Sequence, residues 1–268
     1  MKYTVNDITL SYDAVGSKSF GDNKVLLHDA VDLTKNASWH DRGFVIERLF
    51  DETTNKDFFR ATEHLLKSLW RRSILQFDDH LPLHEYHKVA KTKEQHLAAV
   101  EYTKLLDVSD FPLGIQRIEQ RIGEVCKAKL VARNPFDNQT IFHFRVIRPK
   151  SGDNNPLHRD VWLEDYADCI NLYIPVCGSN ERSSLIIVPG SHLWPESRVE
   201  RTVAGAHING VRFNVPAVTD ITGDFNCVRP DPAPGEVLIF SPYLIHGGAV
   251  NLNDEQTRIS IELRLWKN

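Results

Sequence analysis

Hydrophobic and polar residues follow different periods in the two parts of this chain. Between about residues 50 and 132, apolar residues recur every three or four positions, which is the period of an amphipathic helix. From about residue 140 onward, short β-branched and aromatic segments alternate with turns rich in Gly, Pro and Asn. The pattern predicts helical support mainly over 50–132 and a strand-rich core over about 140–268. No linker-like or repeated segment divides the chain, so we expect a single domain over 1–268.

The predicted elements are short and closely spaced. A capping-box pattern at 54–57 indicates the start of a first helix, along which Phe58, Leu66 and Trp70 share one face. We expect this helix and two others to pack against one sheet. The other predicted elements are helices within 94–106 and 114–132 and strands at 43–50, 140–147, 169–176, 184–188, 236–240 and 258–266. Many short strands separated by turns are typical of a sandwich or a barrel.

Length and composition narrow the function classes. A chain of 268 residues can bury one sizeable core. The formal net charge is −4 and the basic residues are dispersed, which argues against a nucleic-acid partner. There is neither a signal peptide nor a run of about 18 apolar residues, so we expect no membrane partner. The four cysteines lack zinc-site spacing and are expected to be free thiols, which predicts a cytoplasmic location.

Two motifs that lie far apart in the sequence predict a metal site. His158 and Asp160 are two residues apart, so on extended backbone both side chains point to the same side. His246 follows 88 residues after His158, in the sequence Ser-Pro-Tyr-Leu-Ile-His-Gly-Gly. Two imidazoles and one carboxylate on one face of Fe(II) form the facial triad of non-haem iron oxygenases, which leaves coordination positions open.

The predicted last strand adds a carboxylate-binding pattern. Arg258 lies twelve positions after His246, and Ser260 and Glu262 follow it at alternate positions. Because side chains alternate across a strand, these three residues share one face, which we expect to point inward. A guanidinium beside a hydroxyl suits a carboxylate, so the pattern favours a keto-acid cosubstrate held next to the metal.

With these motifs the sequence resembles the Fe(II)/2-oxoglutarate-dependent oxygenases, specifically the phytanoyl-CoA dioxygenase-like family. The resemblance extends from about residue 41 to the C-terminus. Its strongest blocks are 156–160, 170–176, 188–192, 235–240, 246–248, Asn251 and 258–260. The resemblance implies a mainly β fold with accessory helices, the double-stranded β-helix that is also called a jelly roll or cupin-like fold.

The resemblance also implies roles for individual residues. His158, Asp160 and His246 are expected to bind Fe(II), and Arg258 and Ser260 to bind the distal carboxylate of 2-oxoglutarate. Further contacts with the cosubstrate are expected from Tyr173, His143 and Asn171. The first two of these positions depart from the residues that are common in the family.

The implied reaction consumes 2-oxoglutarate and O₂ at Fe(II), releases succinate and CO₂, and hydroxylates an aliphatic C–H bond. Asp160 favours hydroxylation over halogenation, since halogenating relatives carry Gly or Ala at that position. The expected substrate is a small, polar metabolite or natural-product intermediate. Expected substrate contacts are Arg145, Trp162 and Glu262, beneath a lid formed by 198–234.

Two other classes of function stay open. One is a jelly-roll lyase or isomerase that uses its metal without 2-oxoglutarate, and the other is a non-catalytic binding module. The Arg258 and Ser260 pair argues against the first class, and the complete set of three metal ligands argues against the second. The sequence indicates neither the identity of the substrate nor the oligomeric state.

Overall fold

A computed structural model describes residues 1–74, 77–151, 155–163 and 165–268 of the chain. Its three α-helices are α1 (Glu52–Trp70), α2 (Lys93–Glu101) and α3 (Ile115–Cys126). Short 3₁₀ helices span Leu83–Lys88, Val108–Asp110, Asp160–Trp162, Ser191–Leu193 and Glu196–Arg198. None of the described helices is both long and apolar enough to cross a membrane.

The bounds of the three helices differ from the predicted ones. The capping box predicted at 54–57 is wrong, because α1 starts earlier and is capped by Asp51, whose side chain accepts from the Thr54 amide. The helix α2 starts at a capping box of Thr92 with Gln95. The helix α3 stops six residues short of position 132, because Lys127 adopts a left-handed conformation that ends it.

Sixteen strands form within the described residues, several of them only two or three residues long. They are β1 (Lys2–Val5), β2 (Ile8–Ser11), β3 (Lys18–Phe20), β4 (Phe44–Arg48), β5 (Leu106–Asp107), β6 (Leu130–Val131), β7 (Ile141–Ile147), β8 (Cys169–Cys177), β9 (Ile186–Ile187), β10 (Val199–Thr202), β11 (Ala206–Ile208), β12 (Val211–Phe213), β13 (Val218–Ile221), β14 (Glu236–Phe240), β15 (His246–Gly247) and β16 (Arg258–Lys267).

Two layers of strands enclose the interior. The larger layer is an antiparallel sheet in the order β4-β14-β8-β16-β7-β5, and β6 pairs with the end of β16. The smaller layer consists of the β9–β15 pair together with isolated bridges between His158 and His246 and between Ile187 and Val228. This arrangement confirms the predicted jelly roll with accessory helices.

The hydrophobic core explains why the helices lie on one side of the larger sheet. Apolar residues of α1 and α3, such as Trp70 and Ile118, belong to the same buried cluster as Phe144 of β7 and Ile261 of β16. Because β-strand residues alternate between faces, the other face of these strands is left for polar side chains. The packing of the helices therefore determines which residues of the sheet point into the barrel.

The segment 198–234 contains four strands rather than a plain loop. The strands β10 and β13 pair with each other, and β3 from the N-terminal region adds a third strand. Val199 and Val218 from this segment pack in a buried cluster with Leu157, next to the predicted metal ligand His158. A lid function for the segment stays a prediction.

A buried histidine makes the stability of the fold depend on pH. The Nε2–H of His192 donates to the carbonyl oxygen of His40 at 2.8 Å, while its buried Nδ1 has no partner among the described residues. Burial lowers the pKa of His192 to about 4. The unfolded chain therefore takes up a proton as the pH falls below about 6.5, whereas the folded chain does not.

We expect the free energy of unfolding to fall as the pH is lowered from 7 to 5, and His192→Gln to reduce this dependence by on the order of 1 kcal/mol. Urea denaturation at several pH values measures the effect. His80→Gln is the matched control, because His80 is exposed and should leave the pH dependence unchanged. An equal pH dependence in the wild type and in His192→Gln would contradict the assignment.

Candidate metal centre

A backbone bridge brings the two predicted histidine ligands together. The amide of His158 donates to the carbonyl of His246, and the amide of His246 donates to the carbonyl of His158, each at 2.9 Å. The two imidazole ring centroids lie 4.4 Å apart. Two positions separated by 88 residues thus become direct neighbours in the smaller layer of the jelly roll.

Backbone carbonyls fix both imidazole rings in the same way. His158 Nδ1 lies 2.8 Å from the carbonyl oxygen of Pro156, and His246 Nδ1 lies 2.9 Å from that of Leu244. A carbonyl oxygen can only accept, so each Nδ1 carries the proton and each Nε2 keeps its lone pair free. Burial lowers the pKa of His246 to about 4, which keeps this ring neutral near pH 7.

Asp160 completes a compact group of ligand atoms. Arg159 is extended between the two motif residues, so His158 and Asp160 point to the same side as predicted. Asp160 Oδ1 lies 3.2 Å from His158 Nε2 and 3.6 Å from His246 Nε2. One ligand atom from each of the three residues lies within 4.8 Å of the other two, and all three residues are buried. This donor set of two imidazoles and one carboxylate fits a divalent transition metal such as Fe(II).

Asp160 stays ionised in spite of its burial. Burial by itself raises the pKa of this carboxyl group, but opposing contributions, of which the charge of Arg264 is the largest, outweigh it and hold the pKa well below its usual value. The second carboxylate oxygen, Oδ2, accepts from Asn171 Nδ2 at 2.9 Å and from Arg264 Nη2 at 3.1 Å. The two oxygens therefore face different partners, the histidines on one side and two donors on the other.

Three of the five predicted cosubstrate residues line a cavity next to the three ligands. The cavity encloses roughly 580 Å³, part of it open to solvent, and its lining includes His158, His246, Arg258 and Ser260. Tyr173 also lines it, and the Arg258 guanidinium carbon lies 5.7 Å from the centroid of the Tyr173 ring.

Arg258 and Ser260 contribute buried polar atoms that the described residues leave without partners. Arg258 is 4% exposed and makes no ion pair within the described part of the chain, and its Nε finds no acceptor there. The hydroxyl oxygen of fully buried Ser260 likewise has no partner among the described residues. An unpaired buried cation is costly, so this part of the cavity is suited to an anion.

The strand β16 carries a row of polar side chains on its inward face. Arg258, Ser260 and Glu262 alternate with buried Ile259 and Ile261, as the sequence pattern predicts. Glu262 lines the cavity together with Arg145 of β7, and the two side chains form an ion pair.

The same alternation continues to Arg264, which the sequence analysis missed. Arg264 Nη2 lies 2.5 Å from Glu262 Oε1 and 3.1 Å from Asp160 Oδ2. Extending the period of two by one more step along the strand would have found it.

Three predicted residues do not line the cavity and have other partners. Asn171 donates from Nδ2 to Asp160, while its buried Oδ1 has no partner among the described residues, so its contact with a cosubstrate stays a prediction. His143 faces the barrel interior opposite Glu262, but its Nδ1 accepts from the Leu105 amide at 3.0 Å, and burial lowers its pKa to about 4. Trp162 donates its indole N–H to Glu196 at 2.9 Å and is not among the residues that line the cavity with Arg145, so its contact with a substrate stays a prediction.

Arg159, between the two ligands of the first motif, is fully buried. It forms an ion pair with Glu196 and donates to the carbonyl of Ser191 at 2.6 Å. The hydroxyl of Ser191 accepts in turn from the amide of Ile245, the residue before His246, at 2.8 Å. Ser191 thus ties the neighbours of the two histidine ligands to each other.

The fold and the three ligand residues define a jelly-roll protein of the metal-dependent oxygenase class. Residues 29–260 match the family described as phytanoyl-CoA dioxygenase (PhyH). The match covers most of the chain, and the protein belongs to this family. Among curated proteins, none matches the sequence.

Solved structures share the fold of this protein at low sequence identity. AviO1 from Streptomyces viridochromogenes Tue57 is 16% identical, with a TM-score of 0.51 and coverage of 90% of this chain and 97% of that chain. EctD from S. alaskensis in its apoform is 13% identical, with a TM-score of 0.51 and coverage of 94% and 85%. ThoJ, a non-heme monooxygenase in its apo form, is 12% identical, with a TM-score of 0.50 and coverage of 88% and 77%. At these identities the likeness concerns the fold.

The bridge between the two histidines predicts that Gly247 cannot be replaced. Gly247 has φ +111°, and a Cβ atom there would lie 2.2 Å from the Pro156 carbonyl oxygen. We expect Gly247→Ala to lower the free energy of unfolding by more than ~2 kcal/mol and to weaken Co(II) binding by at least about tenfold, because the bridge must shift.

Differential scanning calorimetry and titration with Co(II) measure these two effects. Gly210→Ala is the matched control, since Gly210 also has positive φ (+75°) but an added Cβ meets no atom within 4 Å among the described residues. It should cost only about 1 kcal/mol of backbone strain. Wild-type Co(II) affinity in Gly247→Ala would show that the bridge does not position the ligands.

Proposed function

We propose that this protein is an Fe(II)- and 2-oxoglutarate-dependent dioxygenase that hydroxylates an aliphatic C–H bond of a small, polar metabolite and releases succinate and CO₂. The observation that carries the proposal is Arg258. It is a buried cation without an ion-pair partner among the described residues, in the same cavity as His158 and His246. A dicarboxylate with one end at the metal and the other at Arg258 matches this arrangement.

The protein's own residues have separable tasks in this proposal. His158, Asp160 and His246 hold the metal, and their hydrogen bonds to the backbone and to Asn171 keep the ligand atoms oriented. Arg258 and Ser260 hold the distal carboxylate of the cosubstrate. Iron and 2-oxoglutarate, when bound, supply the activation of O₂ and the oxidation of the C–H bond.

Apolar side chains around the metal centre limit the access of water. Phe240 and Ala249 line the same cavity, and the Phe240 ring centroid lies 4.9 Å from that of His246. Exclusion of water strengthens the electrostatic contacts within the cavity and protects a reactive site from side reactions. The chain thereby contributes orientation and enclosure.

Charge in the cavity favours a substrate with an anionic group. In the loaded site, Asp160 and the metal-bound carboxylate of 2-oxoglutarate would offset the two charges of Fe(II), and the distal carboxylate would offset Arg258. Glu262 pairs with both Arg264 and Arg145, so one positive charge on this side is not offset. The Arg145 side chain is 38% exposed and lines the cavity, which leaves part of its guanidinium accessible. We assign Arg145 and Glu262 to substrate recognition.

A lyase or isomerase that does not use 2-oxoglutarate is the main alternative. It would need the metal ligands but would give no role to the buried Arg258 and Ser260. A non-catalytic binding module would need neither the ionised carboxylate of Asp160 nor the fixed tautomers of His158 and His246.

A cytoplasmic location also stays a prediction, and the four free cysteines are consistent with it.

We expect purified protein to form succinate only with Fe(II), O₂ and 2-oxoglutarate, and His158→Ala and Asp160→Ala to abolish this activity. Arg258→Lys keeps the charge but loses the planar fork, so we expect the affinity for 2-oxoglutarate to fall roughly 10- to 100-fold with little change in metal affinity. Calorimetric titration under nitrogen measures both affinities. Succinate formation by His158→Ala would rule out the ligand assignment, and unchanged cosubstrate affinity in Arg258→Lys would show that Arg258 does not bind 2-oxoglutarate. A wild-type protein that forms no succinate under any of these conditions would favour the lyase or isomerase class.

Among small probes, carboxylic acids should stimulate succinate release more than their methyl esters, because Arg145 attracts an anion. We expect Arg145→Gln to remove this preference and to leave the affinity for 2-oxoglutarate unchanged. Arg60→Gln on the exposed face of α1 is the matched control. A preference for esters in the wild type, or an unchanged preference in Arg145→Gln, would show that Arg145 does not select the substrate.

A further inference from the structure

We infer that Arg264 is a positioning residue that holds one oxygen of Asp160 so that the carboxylate offers only its other oxygen to the metal. The metal needs three protein ligands and open positions for the cosubstrate and O₂. A carboxylate that bound through both oxygens would fill one of these positions. The inference rests on the proposed function. It adds Arg264 to the three metal ligands and Arg258, which are the residues that the sequence motifs indicate.

The geometry divides the two oxygens of Asp160 between two environments. Oδ1 lies within 3.6 Å of the Nε2 atoms of both His158 and His246. Oδ2 accepts from Arg264 through Nη2 at 3.1 Å and Nε at 3.4 Å, and from the Asn171 amide at 2.9 Å. Three donors on one oxygen oppose a rotation of the carboxylate that would bring this oxygen to the metal.

Arg264 is itself held in place from several sides. Its Nη2 lies 2.5 Å from Glu262 Oε1, and its guanidinium carbon lies 4.4 Å from the centroid of the Tyr166 ring. It sits on β16, which pairs with β8 on one side and β7 on the other. A guanidinium stays protonated in proteins. The guanidinium is thus a permanently charged and rigid donor.

A positioning role and a merely structural role predict different changes. If Arg264 only stabilises the fold, its loss should weaken metal and cosubstrate binding together. If Arg264 restrains Asp160, its loss frees Oδ2 and removes a positive charge that competes with the metal. Metal binding should then be as tight as in the wild type or tighter, while cosubstrate binding at the metal should weaken.

The test uses Co(II) as a spectroscopic substitute for Fe(II) in Arg264→Gln. Glu262→Gln/Arg264→Gln serves if the single variant fails to fold, because it removes a buried ion pair as a unit. We expect the Co(II) affinity to be at least that of the wild type, the ligand-field spectrum to change, and the affinity for 2-oxoglutarate to fall about tenfold. Arg145→Gln is the matched control, because it removes the other cation beside Glu262 but leaves Asp160 untouched, and it should keep the wild-type spectrum.

Equal losses of Co(II) and 2-oxoglutarate affinity, or an unchanged spectrum with unchanged cosubstrate affinity, would overturn the positioning role. The proposed function fails separately, if the wild-type Co(II) protein does not bind 2-oxoglutarate at all. In that case the spectrum alone decides. A spectrum that changes in Arg264→Gln but not in Arg145→Gln supports the restraint on Asp160, and a spectrum that is the same in all three proteins contradicts it.

Discussion

The antiparallel bridge between His158 and His246 is the constraint on which the candidate site depends. Two reciprocal backbone hydrogen bonds set the separation of the two imidazoles, and carbonyls two residues upstream fix both tautomers. The layer that carries the bridge has strands of only two residues, so pairing alone holds it weakly. Ser191 supplies additional contacts, because it binds Arg159 on one side and the amide of Ile245 on the other. The ligand positions are therefore held by the backbone and by buried polar contacts together.

Opposite this layer, β16 separates apolar packing from charge along a single strand. Ile259, Ile261, Leu263 and Leu265 face the helices, whereas Arg258, Ser260, Glu262 and Arg264 face the interior. Buried charges are tolerated when opposite charges compensate them. Arg264 is compensated by Asp160 and Glu262, so it contributes to the protein's own structure. Arg258 has no such partner in the described part of the chain. In this respect it differs from Arg264, whose charge is compensated within the protein.

The sequence allowed the prediction of those features that follow a local period or a spaced motif. The helical first half, the strand-rich second half, the inward face of Arg258 and Ser260 and the grouping of the three ligands all belong to this kind. The beginning of α1 was misplaced because several polar residues before Phe58 can cap a helix, and only the structure shows that Asp51 does so. The N-terminal strands β1 to β3 were missed, since segments of three or four residues carry no readable period.

Other features depend on partners that are remote in sequence. The buried position of Arg159 depends on its ion pair with Glu196, which lies 37 residues away in the sequence. Trp162 faces Glu196 as well, and no pattern near either residue indicates the contact. The contact of Arg264 with Asp160 also joins residues 104 positions apart. The alternation along β16 places Arg264 on the inward face, but only the fold shows that it lies beside a metal ligand.

A row of ion pairs links the metal centre with the partly exposed wall of the cavity into one electrostatic unit. Asp160, Arg264, Glu262 and Arg145 form a continuous row of alternating charges from the metal centre to the partly exposed cavity wall. A change at one end of such a row alters the field at the next member, because the interior screens charge less than water does.

Arg258 lies outside this row, since none of the ion pairs among the described residues includes it. Arg229 lies near enough to raise the local positive potential, and the charge on Arg258 adds to burial in lowering the pKa of Arg229 to about 10. The three ligand residues are therefore suited to a cation, and Arg258 is suited to an anion. A dicarboxylate that chelates the metal could also place its other carboxylate at Arg258.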